Sequence, residues 1–246
     1  MFQIQLGDQL FWLKLQLKSQ SVEHEVALHN EIQCYQHIAK RTSGLLAPFE
    51  VVNTQCLGLK EDYSEQGIIL KHIEGLFKKA PNSLSQAEIY ECLNLSLDVL
   101  AQLHELSWVH GDLKAEHFRK IEHKAVLIDF EQAFCVESIQ LIKNTATPRY
   151  MAPELFHAEA KSYASDAYAL GIIWLEWLTQ EKLQAKSYLD WAKLHCQQLK
   201  IELPEQLQVF ETVLMMLLSK EKYHRCTNFY QIKQILSKNG QRKSNE

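Results

Sequence analysis

Two short segments of the sequence carry the residue types that phosphate chemistry requires. Residues 109–118 read VHGDLKAEHF and contain Asp112 and Lys114, and residues 127–131 read LIDFE and contain Asp129. Phosphoryl transfer uses one carboxylate to accept or orient the proton of the nucleophile and another to hold the divalent cation that neutralises the phosphates. A fold that brings Asp112 and Asp129 together would therefore make a candidate site for phosphoryl transfer.

The secondary structure expected around these two segments would bring the two aspartates together. Residues 117–121 and 125–128 are typical of two short strands around a polar turn, and this hairpin would bring both aspartates to one end. Before them, Ser85 and Glu88 have the spacing of a capping box, which opens a long helix ending near Glu105. We therefore expect the two aspartates in adjacent loops that follow this helix.

The first part of the chain predicts a small sheet with one helix. Residues 2–6 and 10–16 alternate in polarity around a turn, which favours a β-hairpin. Ser21 can cap a helix that runs to about Lys40, and residues 49–73 then return to short strands. We expect a mostly antiparallel sheet in this region.

The rest of the chain predicts mainly helices. Residues 165–179 (SDAYALGIIWLEWLT) are apolar on nearly every face, which is the pattern of a helix buried at the centre of a lobe. Residues 239–246 are polar without periodicity and predict a frayed tail. The sequence thus predicts an α+β protein, in which a small sheet lobe precedes a larger helical lobe.

The composition narrows the class of protein. A chain of 246 residues with 46% apolar side chains can bury a substantial core without disulfides, and its six scattered cysteines indicate free thiols. Lys and Arg total 26 against 30 Asp and Glu, so no positive field attracts nucleic acid. The sequence shows no basic leader and no apolar segment of membrane-spanning length. We expect a soluble, cytoplasmic protein with no nucleic-acid partner and no membrane span.

Five motifs occur in an order that resembles the eukaryotic-type protein kinase superfamily. HGDLKAEHF resembles the catalytic loop and LIDFE the metal-binding loop, and residues 147–154 (TPRYMAPE) resemble the APE segment. Residues 166–171 (DAYALG) and Arg225 follow in the family's order. This resemblance implies a bilobal α+β protein-kinase-like fold with a small N-terminal antiparallel sheet lobe and a larger helical C-terminal lobe.

The resemblance also implies where the domain lies along the chain. It predicts a kinase-like domain at residues 1–237, divided into an N-terminal lobe at 1–75 and a C-terminal lobe at 76–237. A flexible tail at 238–246 would follow.

In the C-terminal lobe, the resemblance implies a role for each motif residue. Asp112 would be the catalytic base, Lys114 the cation that meets the transferred phosphate, and Asp129 the magnesium ligand.

Four further residues would support the substrate segment. Glu154 would pair with Arg225 to tie this segment to the lobe. Thr147 would contact the catalytic loop beside the substrate, and Asp166 would brace the backbone around His110.

In the N-terminal lobe, the resemblance implies a nucleotide site. Lys14 would bind the ATP phosphates, with Glu31 as its ion-pair partner and Glu25 as the weaker alternative. The segment that would hydrogen-bond adenine through its backbone comprises Leu70, Lys71, His72 and Ile73. The implied cofactors are ATP and Mg²⁺, for which Mn²⁺ could substitute.

The sequence departs from the family at several positions. It contains no G-x-G-x-x-G, so we expect the glycine loop that covers the ATP phosphates to be missing and ATP binding to be weak. His117 stands where the family has a metal-binding asparagine, which leaves the metal count and preference open. Glu131 replaces the glycine that follows Asp129-Phe130 and adds a carboxylate beside the metal site.

Gly111 replaces the arginine that precedes the catalytic aspartate in kinases switched by phosphorylation. A phosphate on Thr145 or Thr147 would then lack its main partner, so we expect no such switch.

Three functions remain open at this point. The residue set favours a Ser/Thr-type protein kinase acting on a protein substrate, because the family docks a peptide on the segment from Thr147 to Glu154. Gly111, His117 and Glu131 favour instead a kinase for a sugar, such as that of a lipopolysaccharide, or a small alcohol. The missing glycine loop and the altered metal site fit a pseudokinase that serves as a binding or scaffold module.

Overall fold

A four-stranded antiparallel sheet forms the first lobe. The computed structural model describes residues 1–18, 22–58, 62–137 and 146–242. The strands of this sheet are β1 (Phe2–Leu6), β2 (Gln9–Lys14), β3 (Phe49–Asn53) and β4 (Gln66–Lys71), in the order β1-β2-β4-β3. The predicted hairpin is confirmed, with Leu6 opposite Gln9 at its turn. At its other end, β2 stops at Lys14, opposite Ile68 of β4.

One helix, α1 (Val22–Ala39), packs against this sheet. The bounds agree with the predicted helix, although the expected cap, Ser21, lies outside the described residues. Its buried side chains recur at helical spacing and include Leu28, Ile32, Tyr35 and Ile38. Glu31 lies on this apolar face and is fully buried, so the helix carries a carboxylate into the core.

Five helices make up most of the second lobe. They are α2 (Gln86–Glu105), α3 (Tyr163–Thr179), α4 (Tyr188–Lys193), α5 (Glu211–Leu217) and α6 (Phe229–Arg242). The capping box of α2 is confirmed, because the Glu88 N–H donates to Ser85 Oγ at 3.3 Å and the Ser85 N–H donates to the Glu88 carboxylate at 2.8 Å. Helix α3 is buried along almost its whole length, as its sequence predicts.

Helix α6 continues to Arg242, beyond residue 237, where the sequence predicts the domain to end. Residues 243–246 lie outside the described residues, so the domain bounds stay a prediction. All six cysteines have free thiols. Among the residues that the structure describes, no helix is long and apolar enough to cross a bilayer.

Two small two-stranded sheets flank the loops that carry the two aspartates. Their strands are β5 (Trp108–Val109), β6 (Phe118–Ile121), β7 (Lys124–Leu127) and β8 (Phe134–Cys135). Strand β5 pairs with β8, and β6 pairs with β7. The Asp112 loop (residues 110–117) therefore joins β5 to β6, and the Asp129 loop (residues 128–133) joins β7 to β8. The predicted hairpin is confirmed to within a residue at each end.

A buried histidine joins α3 to the π-helical turn at Leu194–Gln198. Nδ1 of His195 lies 2.9 Å from the hydroxyl of Tyr168, and its ring stacks on those of Phe156 and Trp191. Burial lowers the pKa of His195 to about 4, so the ring is neutral at pH 7.

This buried histidine predicts a loss of stability in mild acid. Between pH 6.5 and about 4 the unfolded chain protonates this histidine while the native state does not, so the free energy of unfolding falls as pH falls. We expect His195→Gln to reduce that slope by up to about 1.4 kcal/mol per pH unit, measured by urea unfolding across this range. The same change at exposed His123 is the control, and an equal slope in wild type and His195→Gln would contradict the prediction.

Candidate active site

The side chain of Lys14 lies among three carboxylates that come from both lobes. Its ammonium is 2.7 Å from Glu31 Oε2, 2.9 Å from Asp129 Oδ1 and 2.6 Å from Glu131 Oε1. The strand β2, the helix α1 and the Asp129 loop each contribute to this cluster. The structure thus pairs Lys14 with Glu31, the preferred candidate from the sequence, and adds Glu131 as a partner that the sequence did not predict.

The charges of this cluster are strongly coupled. Burial raises the pKa of the Glu31 carboxyl, and the neighbouring Lys14 opposes this shift. Burial also disfavours the charged form of Lys14, but the three carboxylates outweigh it and hold the pKa of Lys14 well above its usual range. Because three carboxylates share one ammonium, the cluster carries excess negative charge.

Asp129 is fixed from two sides in a strained backbone conformation. Its φ of 67° lies in the left-handed region, which non-glycine residues rarely adopt. Oδ1 faces Lys14, and Oδ2 lies 3.1 Å from Nε2 of His117. Burial would raise the pKa of Asp129, but the contacts with His117 and Lys14 hold it below its usual range. Asp129 is therefore ionised at neutral pH.

The contact with Asp129 bears on the metal-binding role predicted for His117. The ring is buried and directs Nε2 at the carboxylate, so this nitrogen could reach a metal only by giving up the contact with Asp129. A histidine in this arrangement orients a metal-binding carboxylate. Its role as a ligand stays a prediction.

The carboxylates around Lys14 fit a hard divalent cation. Ligand oxygens of Glu31, Asp129 and Glu131 all lie within 4.8 Å of one another. Mg²⁺ prefers such oxygen ligands and is usually held by one or two carboxylates together with phosphate oxygens. The side chains of Asp129 and Glu131 are about one-third exposed, at 33% and 37%, whereas Glu31 is inaccessible. Asp129 and Glu131 are therefore the residues that could hold Mg²⁺ or Mn²⁺.

Asp112 faces the segment that begins at Thr147. Its Oδ1 accepts the backbone N–H of Thr147 at 2.9 Å, and its Oδ2 lies 3.0 Å from the ammonium of Lys114. Burial would raise the pKa of Asp112, but these two contacts hold it below its usual range. The carboxylate is thus ionised and able to accept a proton.

A buried carboxylate fixes the backbone of the Asp112 loop. Asp166, on α3, accepts the N–H of His110 at 2.8 Å and the N–H of Gly111 at 3.0 Å. Nε2 of His104 lies 3.2 Å from the same carboxylate. The structure therefore places Asp166 where the resemblance implies a brace for this loop.

A bidentate ion pair ties the segment after Thr147 to the second lobe. The two guanidinium nitrogens of Arg225 lie 2.6 and 2.9 Å from the oxygens of Glu154, and both side chains are buried. Arg225 also donates to the carbonyl of Ala164 and lies over the ring of Tyr168, 4.8 Å from its centroid. The pair predicted from the sequence is therefore formed.

The predicted adenine segment, residues 70–73, spans the end of β4 and the two residues that follow it. Leu70 is buried at the end of β4, and the N–H of His72 donates to the carbonyl of Leu10 at 2.8 Å. The carbonyl of Ile73 accepts from Arg119 at 3.4 Å, and the N–H of Lys71 donates to Pro48.

The predicted site residues do not include Trp12, which contacts the segment that follows β4. Trp12 Nε1 donates to Nδ1 of His72 at 2.9 Å, across the junction between the sheet and the segment that follows β4. Because Trp12 and Lys14 are two residues apart on one strand, they face the same side of the sheet. That alternation was the signal that could have identified Trp12.

A cavity of about 560 Å³ opens beside the Asp112 loop. Side chains of both charges line it, together with aromatic rings, and its walls include Glu74, Phe77, Glu116, Arg119, Tyr150 and Trp177. No local sequence pattern predicts this cavity, because its walls come from the segment after β4, from residues 115–119, from Tyr150 and from residues 173–182.

The Glu154–Arg225 pair predicts a large loss of stability on truncation. Arg225→Met leaves a buried carboxylate without its cation, so we expect the free energy of unfolding to fall by about 3–5 kcal/mol in urea denaturation. Lys233→Met is the matched control, because Lys233 and Asp98 also approach to 2.6 Å but their side chains are 35% and 45% exposed. That control should cost less than about 1 kcal/mol. Similar losses in the two variants would contradict the prediction.

Comparison with known proteins identifies the family. A family model described as protein kinase domain matches residues 8–239. The Dictyostelium discoideum "Probable serine/threonine-protein kinase mkcF" is 28% identical over 160 residues, which cover 57% of this chain and 23% of that protein. The Caenorhabditis elegans "Death-associated protein kinase dapk-1" is 30% identical over 121 residues, 46% of this chain and 8% of that protein.

A third relative matches a shorter part of this chain. The Xenopus laevis "CaM kinase-like vesicle-associated protein" is 34% identical over 94 residues, 36% of this chain and 25% of that protein. The chain thus spans a quarter or less of the length of these three relatives. The predicted resemblance and the bilobal α+β fold are confirmed, and the chain belongs to the protein kinase domain family.

Proposed function

We propose that this chain is an ATP-dependent phosphotransferase that transfers the γ-phosphate to a serine or threonine hydroxyl of a protein. The observation that carries the proposal is the cluster in which Lys14 contacts both Glu31 and Asp129, with Asp112 on the adjacent loop. The cluster supplies a cation for phosphates and an ionised carboxylate for a metal, and the adjacent loop supplies a base for the nucleophile.

Nucleotide binding requires the cluster to rearrange. Phosphate oxygens can contact Lys14 only if one of its three carboxylate partners moves away. Glu131 is the most exposed of these partners. Asp129 and Glu131 would hold a divalent cation, which would supply positive charge to offset theirs and that of the phosphates. Residues 70–73 and the ring of Trp12 would face the base, because they border the same cleft as Lys14.

The transfer step uses the Asp112 loop. The hydroxyl oxygen of the substrate forms a bond to the γ-phosphorus while the bond from that phosphorus to the bridging oxygen of ADP breaks, and Asp112 accepts the hydroxyl proton. Lys114, which lies 3.0 Å from Asp112, can meet the oxygens of the transferred phosphate. The N–H of Thr147 holds Asp112 in place beside the substrate segment.

Two observations support a protein substrate. The relative from Dictyostelium discoideum is named a serine/threonine-protein kinase, and the segment from Thr147 to Glu154 is anchored at both ends, by Asp112 and by Arg225. The cavity beside the Asp112 loop gives a substrate side chain room on the same side of the molecule. We also propose that the protein is cytoplasmic, as the sequence predicts.

One observation favours a second function, a binding module without catalysis. Glu131 lies 2.6 Å from the ammonium of Lys14, so a carboxylate already occupies a position that phosphate needs. If no metal displaces it, the site binds no nucleotide and the chain acts through its surface.

Nucleotide binding is tested first by thermal unfolding with ATP in Mg²⁺ and then in Mn²⁺. Wild type should gain about 2.7 kcal/mol of stability at a ligand concentration one hundred times the dissociation constant. Asp129→Asn and Lys14→Ala should lose that gain, since one removes the metal ligand and the other the phosphate cation. Absence of any shift in wild type at millimolar nucleotide would exclude the catalytic proposal and favour the binding module.

Transfer is tested with labelled ATP and Asp112→Asn. This variant should keep the nucleotide-induced stabilisation but transfer phosphate about 10²- to 10⁴-fold more slowly, because the proton acceptor is lost. Protein and peptide substrates are compared with sugars and small alcohols. Labelling of sugars alone would replace the protein-kinase proposal with a small-molecule kinase.

Glu131 predicts a distinct metal affinity. Glu131→Gln should weaken binding of Mn²⁺ in the presence of ATP by about tenfold or more, because one of the two accessible carboxylates loses its charge. Titration followed by the electron paramagnetic resonance of free Mn²⁺ measures this, with Glu211→Gln on the exposed start of α5 as the control. Unchanged affinity in Glu131→Gln would show that Glu131 is no ligand.

A further inference from the structure

Lys161 connects three segments around the candidate site. It lies between Glu154 and the start of α3, and its side chain is only 5% exposed. Its ammonium donates to the side-chain oxygen of Gln132 at 3.3 Å, and Gln132 belongs to the Asp129 loop. The side chain of Lys161 runs past Gly111, which belongs to the Asp112 loop. One lysine thus contacts both aspartate-bearing loops from the residues that join Glu154 to α3.

The space for this lysine exists because residue 111 has no side chain. A Cβ on Gly111 would lie 3.1 Å from Cδ and 3.4 Å from Nζ of Lys161, and 2.7 Å from the carbonyl oxygen of Gln132. Gly111 also has a φ of +77°, which favours glycine. Gly111 and Lys161 therefore form one packing unit, in which the cation comes from a segment about fifty positions further along the chain.

The lysine is charged at neutral pH despite its burial. Burial lowers the pKa of Lys161 to about 8, and the carboxylates of Asp112 and Asp166 oppose this shift. Burying a cation is costly unless it is compensated, and these two carboxylates are the compensation.

We propose that Lys161 is a positioning residue that holds the Asp112 loop and the Asp129 loop in the relative position required for phosphoryl transfer. This inference rests on the proposed function. Removal of its charge leaves Asp112 and Asp166 with less compensation and frees Gln132, so the two loops shift relative to each other. The nucleotide contacts at Lys14 and Trp12 belong to the first lobe and are untouched by Lys161.

The test compares turnover with nucleotide binding. Lys161→Met keeps the length of the side chain and removes its charge. It should lower kcat about a hundredfold, as expected for a misplacement of about 1 Å. The dissociation constant of ATP without metal should change less than about twofold, because Lys14 and Trp12 lie outside both loops. Lys222→Met is the control, because Lys222 pairs with Glu159 nearby and touches neither loop. Wild-type kcat in Lys161→Met, or an equal loss of metal-free ATP affinity, would overturn the proposal.

Chemical rescue separates charge from packing. Lys161→Ala leaves a space that propylammonium can enter, so this amine should restore part of kcat, whereas propanol should not. Lys161→Met fills the space and should show no rescue. Rescue of Lys161→Ala by propanol as well would overturn the proposal, because it would show that the volume of Lys161 matters and its charge does not.

Hydrogen exchange decides the proposal even if the chain transfers no phosphate. Lys161→Met should speed amide exchange in residues 110–114 and 129–133 of the folded protein, and Lys222→Met should leave both segments unchanged. A wild type that transfers no phosphate but shows this pattern would refute the proposed function and retain the link between the loops. Unchanged exchange in Lys161→Met would overturn the link itself. Lys161→Gln replaces Lys161→Met if the latter fails to fold.

Discussion

The contact between Lys14 and Glu31 is the constraint on which the candidate site depends. Glu31 is fully buried on α1, and a buried carboxylate is tolerated when a cation lies against it, here at 2.7 Å. The same ammonium reaches Asp129, and the N–H of Phe130 donates to Glu31. The ammonium of Lys14 therefore contacts side chains of both the helix and the Asp129 loop. The position of α1 on the sheet and the conformation of Asp129 thus depend on each other.

The excess of carboxylates in this cluster would link metal and nucleotide binding in the proposed function. A triphosphate that approaches Glu31, Asp129 and Glu131 would meet repulsion that Lys14 alone does not offset. A divalent cation on Asp129 and Glu131 would remove this repulsion and weaken the contact of Glu131 with Lys14. Each ligand would then favour the other, as reciprocal coupling requires. Glu131 would thereby make nucleotide binding more dependent on metal than Lys14, Glu31 and Asp129 alone would.

Local patterns in the sequence predicted most of the fold and part of the site. The capping box at Ser85, the hairpins and the buried helix α3 follow from periodicity and spacing, and Asp112 and Asp129 lie on the two loops that flank one hairpin. The contact between Trp12 and His72 joins residues 60 apart, and that between Lys14 and Glu131 joins two lobes. No period in the sequence encodes such contacts, because they arise from how the elements pack.

The two aspartates are held by different kinds of interaction, and this difference suits the roles proposed for them. Asp112 sits on a loop whose backbone is fixed by the buried carboxylate of Asp166, through hydrogen bonds that nothing in the proposed reaction needs to break. Such preorganisation lowers the cost of orienting a base at the moment of transfer. Asp129 is itself one-third exposed and is held by side-chain contacts with Lys14 and His117. In the proposed function, a metal and a nucleotide would exchange the contact with Lys14, while the rigid Asp112 loop would accept the proton.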